Sequence, residues 1–182
     1  MWISGNFYLT QAQMENNADE VIFYFRSEGW TDEAIAAMLG NMQHESNINP
    51  GIWENLTVGT GGYGLVQWTP YTKYSDWVQQ QSPGTEWRDN GDWQMYRIRY
   101  ELQNGLQWLS TDQYPMTFAE FTQSHTAPEL LAQVWLYNYE RPQVKPQPVR
   151  STSARRWFTY MGGTPGPTEL PVWLLFKFKQ RR

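Results

Sequence analysis

Helical spacing of apolar residues runs through the first part of this chain and then stops between Ile52 and Trp68, where "VGTGGYG" (Val58 to Gly64) places four glycines in seven residues. Glycine reaches backbone conformations that other residues avoid, so the chain must turn tightly there. The flanking pieces "IWENLTV" and "YGLVQW" read as a small hairpin. Helical patterns return on the far side. A chain that is helical on both sides of one short β element folds as α+β, mainly helical, with a small glycine-rich β-hairpin set against the helices.

The helices declare themselves by their caps. Thr10 with Gln13 makes a capping box, followed by Met14, Ala18, Val21, Ile22 and Phe25 at helical spacing and by Gly29 as the stop. Thr31 caps the second helix, and Asp32 and Glu33 suit the positive end of its dipole. That helix runs to about Ser46, where "NINPG" ends it. Thr69-Pro70 reads as the N-cap and first residue of a third helix carrying Tyr71, Tyr74, Trp77 and Val78. A fourth follows the loop of residues 82–92, with Trp93, Tyr96 and Tyr100 on its stripe and Gly105 at its end. Thr117 and Glu120 box a short helix, and Pro128 opens an apolar one with Leu131, Val134, Trp135 and Asn138. "ERPQVKPQP" reads as a connector to a last helix over about Ser153 to Met161. "GGTPGP" is the clearest linker. These signals divide the chain into a domain at 1–162 and a linker with an apolar, then basic, tail at 163–182.

Composition removes several function classes. A net charge of −4 and a pI of about 5.2 argue against nucleic acid as a partner. There is no cysteine, hence no disulfide, thiolate metal site or cysteine nucleophile. With two histidines, His44 and His125, and no H-E-x-x-H, neither a metal site nor any cofactor is expected. The longest apolar run, "LPVWLLF", is too short to span a bilayer. The start "MWISGNFYLT" lacks the basic region and apolar stretch of a signal peptide. What stands out is an aromatic content of 16%, with 11 Trp. Flat aromatic faces suit sugar rings, so some of these are expected to line a groove; the plainer reading is core packing.

The residue that asks for a chemical explanation is Glu45. Ile35, Met38, Leu39 and Met42 form an apolar stripe, and the next position on it is Glu45. A half-buried carboxyl is costly to ionise and stays protonated unless a cation neutralises it. A carboxylic acid that keeps its proton near neutral pH is what general acid catalysis needs, and glycosidases use one to protonate the leaving oxygen. The plainer reading is a helix-end carboxylate bonded to nearby backbone.

"GNMQHESNINPGIWEN", then "GGYGLVQWTP", then "YERP" resembles the phage tail lysozyme family, within the lysozyme-like superfamily, over roughly residues 8 to 160. The order Glu-Ser, Gly-Leu-x-Gln and a Tyr-containing helix end is also similar to soluble lytic transglycosylases and goose-type lysozymes. The resemblance implies a lysozyme-like fold in which the hairpin forms one wall of a substrate cleft. It implies cleavage of peptidoglycan between N-acetylmuramic acid and N-acetylglucosamine, with Glu45 as the acid. Ser46, Tyr63, Gln67, Trp68, Tyr139 and Glu140 carry over as substrate-binding positions. Each has a plainer reading beside it: a helix-end cap for Ser46, a backbone-bonded hairpin residue for Gln67, core for Tyr63, Trp68 and Tyr139, and a structural ion pair for Glu140-Arg141. The second carboxylate stays open between Glu54 and Glu140, and with it hydrolysis against internal transfer by the sugar's own 6-hydroxyl.

The expected setting is the tail of a phage that infects Gram-positive bacteria, the enzyme acting on the host wall as DNA enters. Glycan strands are the expected partner, and the C-terminal tail is the expected contact with other tail proteins. An endolysin released through a holin, a lytic transglycosylase and a non-catalytic wall-binding module are the alternatives.

Overall fold

The computed structural model describes residues 1–164. The expected tail therefore lies, from residue 165 onward, outside the described residues. The described part runs α1 (Gln11–Ser27), α2 (Asp32–Ser46), β1 (Trp53–Asn55), β2 (Thr60–Tyr63), α3 (Thr72–Gln81), α4 (Gly91–Gln103), α5 (Phe118–Thr122), α6 (Pro128–Trp135), a π-helical turn (Leu136–Glu140) and α7 (Pro148–Tyr160). It is mainly helical with one two-stranded antiparallel sheet, as the α+β reading expects. No helix among the described residues is long and apolar enough to cross a membrane.

α2 is the axis of the fold. The Thr31 hydroxyl accepts from the Ala34 amide at its start, and Asn47 closes it in the left-handed region at φ 57°. Every residue from Ala34 to Met42 is buried, not a stripe alone, because α1, α6 and α7 pack around it. Small residues make that possible. A Cβ placed on Gly40 would stand 2.6 Å from the Ala154 amide nitrogen and 2.7 Å from the Arg150 carbonyl oxygen, so α2 and α7 meet backbone to backbone there. Gly40→Ala is expected to force the two helices apart and to cost about 1–3 kcal/mol of stability. A thermal melt of the purified variant tests this, and an unchanged midpoint would contradict the contact.

Several boundaries differ from the expected ones, each for a local reason. The second strand is "TGGY", pairing Trp53 with Tyr63 and Asn55 with Thr60, and the expected strand "YGLVQW" is instead a run of turns closed by a bridge from Tyr63 to Trp68. Gly64 has φ +77°, and a Cβ there would sit 2.4 Å from the Gln94 Oε1 that accepts the Leu65 amide, so this turn requires glycine. α3 starts at Thr72, after the expected Thr69-Pro70, because the Thr69 hydroxyl donates to the Gln67 carbonyl and caps nothing. The deep face of α4 is Gln94, Met95, Ile98 and Glu101, while the aromatic stripe Trp93, Tyr96 and Tyr100 is half-buried around Trp77. α7 begins at Pro148, inside the expected connector, with proline in the first turn where a missing amide donor does no harm.

Candidate active site

A cavity of about 590 Å³ opens between the end of α2, the hairpin, the turns after it and the π-helical turn. Glu45, Gln67, Trp68 and Glu140 line it, together with Trp53 and Glu54 of β1. The first four were expected at the site from sequence.

Glu45 emerges from the core on the last turn of α2 with its side chain 19% exposed. Its carboxylate is not alone. The Arg150 guanidinium, itself only 6% exposed, donates to Glu45 Oε1 at 2.6 Å. Arg150 is held from several sides: its Nε donates to Gln147 Oε1 at 2.6 Å and its Nη1 to Asn41 Oδ1 at 3.2 Å. Asn41 in turn donates to the carbonyls of Ala37 and Ala132, tying α2 to α6. The proviso attached to a half-buried acid, that no cation neutralise it, is therefore not met: Glu45 faces a fixed buried cation.

Glu140 has the opposite surroundings. It is part-buried at the end of the π-helical turn, and its Oε1 accepts from the Trp135 indole N–H at 2.7 Å. The expected ion pair with Arg141 is absent; that guanidinium donates to the carbonyls of Gln107 and Asn138. Burial first, and then the negative charge of Glu45, push the Glu140 carboxyl well above the usual carboxylate range, against smaller pulls from Trp135 and Arg150. Of the three carboxyls that line the cavity, Glu45 faces a cation, Glu54 accepts from the Gly62 amide at 2.9 Å, and Glu140 is held toward its protonated form by burial.

The π-helical turn is what aims Glu140. One residue beyond an α-helical turn rotates the following side chains by about 100°. Asn138, fully buried, pins the turn by donating to the Tyr114 carbonyl at 2.9 Å while its Oδ1 accepts from the Thr111 hydroxyl at 2.9 Å. Arg141, at φ +53°, then reverses the chain.

The other expected substrate contacts divide. Ser46 is buried at 1% exposure, and its hydroxyl is divided between the Met42 and Leu65 carbonyls, tying α2 to the turns. Tyr63 is buried, accepting from the Asp89 amide at 2.8 Å under the Trp53 ring. Tyr139 is buried and donates its hydroxyl to Glu101. These three support the walls from behind and do not line the cavity, since hydroxyl and ring are engaged inside. Gln67 lines it in the left-handed region at φ +52°, but its amide donates to the Ile52 and Gly64 carbonyls, so it also holds the turn. Trp68 is largely core, 3% exposed, with its indole N–H bonded to Glu101. The aromatic groove is thus narrower than the tryptophan content suggests: Trp30, Trp77, Trp135 and Trp157 are buried in packing.

Sequence reading missed Arg150, Tyr8 and Trp53. Arg150 stands in "RSTSARRW" with two other arginines, and nothing local separates them. Tyr8 reaches the cavity because the N-terminal segment crosses the hairpin, held where Asn49 donates to the Gly5 and Phe7 carbonyls and Asn6 to that of Leu56. Trp53 was visible inside "IWEN", within the resemblance motif; it lines the cavity and packs edge-to-face against Tyr71 and Trp87.

A relative, Morphogenesis protein 1 of Bacillus phage B103, is 46% identical over 165 residues, covering 90% of this chain. The chain spans only 44% of that relative's length. The family model described as phage tail lysozyme matches residues 16–161, from α1 to the residue after α7, and the chain belongs to the phage tail lysozyme family.

Proposed function

We propose that this chain is a muramidase that cleaves the β-1,4 bond between N-acetylmuramic acid and N-acetylglucosamine, with Glu45 and Glu140 as its catalytic carboxyl pair. The observation that carries the reading is the pairing of unlike environments at one cavity: Glu45 against Arg150, Glu140 part-buried against the Trp135 indole without a cation of its own. Cleavage of a glycosidic bond needs a proton for the leaving oxygen and a negative charge near the oxocarbenium-like centre. The pair carries one of each. Family membership supports the substrate class, and the phage relative supports a role in a phage particle. Carriage in the tail, with action on the host wall as DNA enters, is part of the same proposal.

Glu140 also favours hydrolysis over internal transfer. A lytic transglycosylase needs no second carboxyl, because the 6-hydroxyl of the substrate attacks, whereas a hydrolase uses one to activate water or to form the glycosyl intermediate. Mass analysis of muropeptides released from purified wall tests this. Reducing ends on muramic acid are expected. Anhydro-muramic ends would replace hydrolysis by transglycosylation, and no new sugar ends would leave only a binding module.

A further inference from the structure

The most deeply buried carboxyl that this chemistry does not use is Glu101 on α4, with a side chain 1% exposed. Burying a carboxylate is expensive unless donors surround it. Three do, from three parts of the fold. Trp68 Nε1 donates to its Oε1 at 2.9 Å, Arg97 Nε to the same oxygen at 2.9 Å, and the Tyr139 hydroxyl to its Oε2 at 2.5 Å. Burial pushes the Glu101 carboxyl up, while Tyr139, Arg97 and Trp68 draw it back toward the charged form.

Two of those donors come from different elements around the cavity. Trp68 lines it on the side of the hairpin turns. Tyr139 sits in the π-helical turn immediately before Glu140. Glu101 is thus the common anchor behind both walls, in addition to its ion pair with the largely buried Arg97 on the same helix. We propose that Glu101 is a positioning residue for the cleavage reaction: it holds the π-helical turn and the Trp68 wall in register so that Glu140 faces the cavity, and it sets a negative charge behind Glu140. The inference rests on the glycosidase reading above.

The charges that face Glu140 are Glu45 from α2, Arg150 from α7 and Glu101 from α4. Arg150 favours ionisation of Glu140, and the two carboxylates oppose it. Removing the Glu101 charge therefore makes Glu140 easier to ionise, and the acid form is lost at lower pH.

The test uses the full chain and short glycan strands that alternate N-acetylmuramic acid and N-acetylglucosamine. Glu101→Gln keeps the shape and one acceptor oxygen but removes the charge and puts an amide NH2 in place of the other oxygen. Its alkaline limb of kcat/KM is expected to move toward acid by at least about 0.5 unit, and kcat to fall about tenfold with KM little changed. Tyr139→Phe keeps the charge and cuts one tie, so kcat falls while the limb stays in place. Wild-type kcat and pH profile in both folded variants would overturn the inference, as would a lower melting point with unmoved kinetics. If Glu101→Gln does not fold, wild-type kcat in Tyr139→Phe overturns it alone. Glu45→Gln and Glu140→Gln, assayed beside them, separate the two levels. Their retention of cleavage overturns the glycosidase reading and this inference with it. Their loss of cleavage, with Glu101→Gln and Tyr139→Phe unaffected, overturns this inference only.

Discussion

Glu45→Gln is expected to reduce lysis of purified wall by at least about two orders of magnitude, the usual contribution of a group that moves or stabilises charge in the transition state. It is also expected to lower the melting temperature. Arg150 is nearly buried, and the substitution removes the only carboxylate it contacts among the described residues. Glutamine still offers an oxygen to the guanidinium, so the loss is smaller than for a bare buried charge, about 1–3 kcal/mol. Lysis assays and thermal melts on one preparation check both halves. Activity within about threefold of wild type would remove Glu45 from the mechanism. An unchanged midpoint would mean that the ion pair contributes nothing net to the fold.

Glu140→Gln is expected to be equally damaging to lysis and opposite in its effect on stability. The Glu140 carboxyl sits well above its ordinary range, chiefly through burial. The folded protein therefore binds this proton more tightly than the unfolded chain does. The stability so contributed is fully present below the unfolded value near 4.3 and is lost as pH rises through the folded value. Glutamine does not titrate. The variant should match the wild type near pH 3 and become the more stable of the two as pH rises through the weakly acidic range. Denaturant unfolding at a series of pH values measures this, and parallel stability curves would show that Glu140 carries no raised affinity for its proton. Activity should change in the same direction for the same reason: wild-type cleavage declines on the alkaline side as Glu140 loses its proton, and the variant should show only residual, pH-independent lysis.

The contrast between Glu45 and Glu140 shows where sequence reading works and where it stops. Glu45 is legible because its environment is local: Met38 and Met42 stand seven and three residues before it on one helix. Its resemblance motif is equally local. What is not legible is Arg150, 105 residues away on α7. That partner turns an expected uncharged acid into half of an ion pair. Glu140 presents the reverse problem. Beside Arg141 in "YERP" it reads as a local ion pair, yet the π-helical turn and the left-handed Arg141 send the two side chains to different partners. Tyr63 and Tyr139 show the same limit for aromatic residues. A tyrosine near a motif can stack on sugar or brace the wall from inside, and only the location of its hydroxyl partner, Asp89 for one and Glu101 for the other, distinguishes these roles.

By itself the sequence determined what depends on neighbours within a turn or two. The Thr10–Gln13 and Thr117–Glu120 capping boxes, the Thr31 cap and the glycine-rich break after α2 all appear where the spacing places them. Hydrogen-bonded caps, glycine conformations and helical period are short-range, so they are written in consecutive residues. Tertiary structure alone decided the electrostatics of the site. Whether Glu45 meets a cation, whether Glu140 keeps a proton, and whether Glu101 braces both walls depend on residues from α4, α7 and the π-helical turn converging at the end of α2. Charge and burial act through distance in space, and distance in space is what a linear order of residues does not contain.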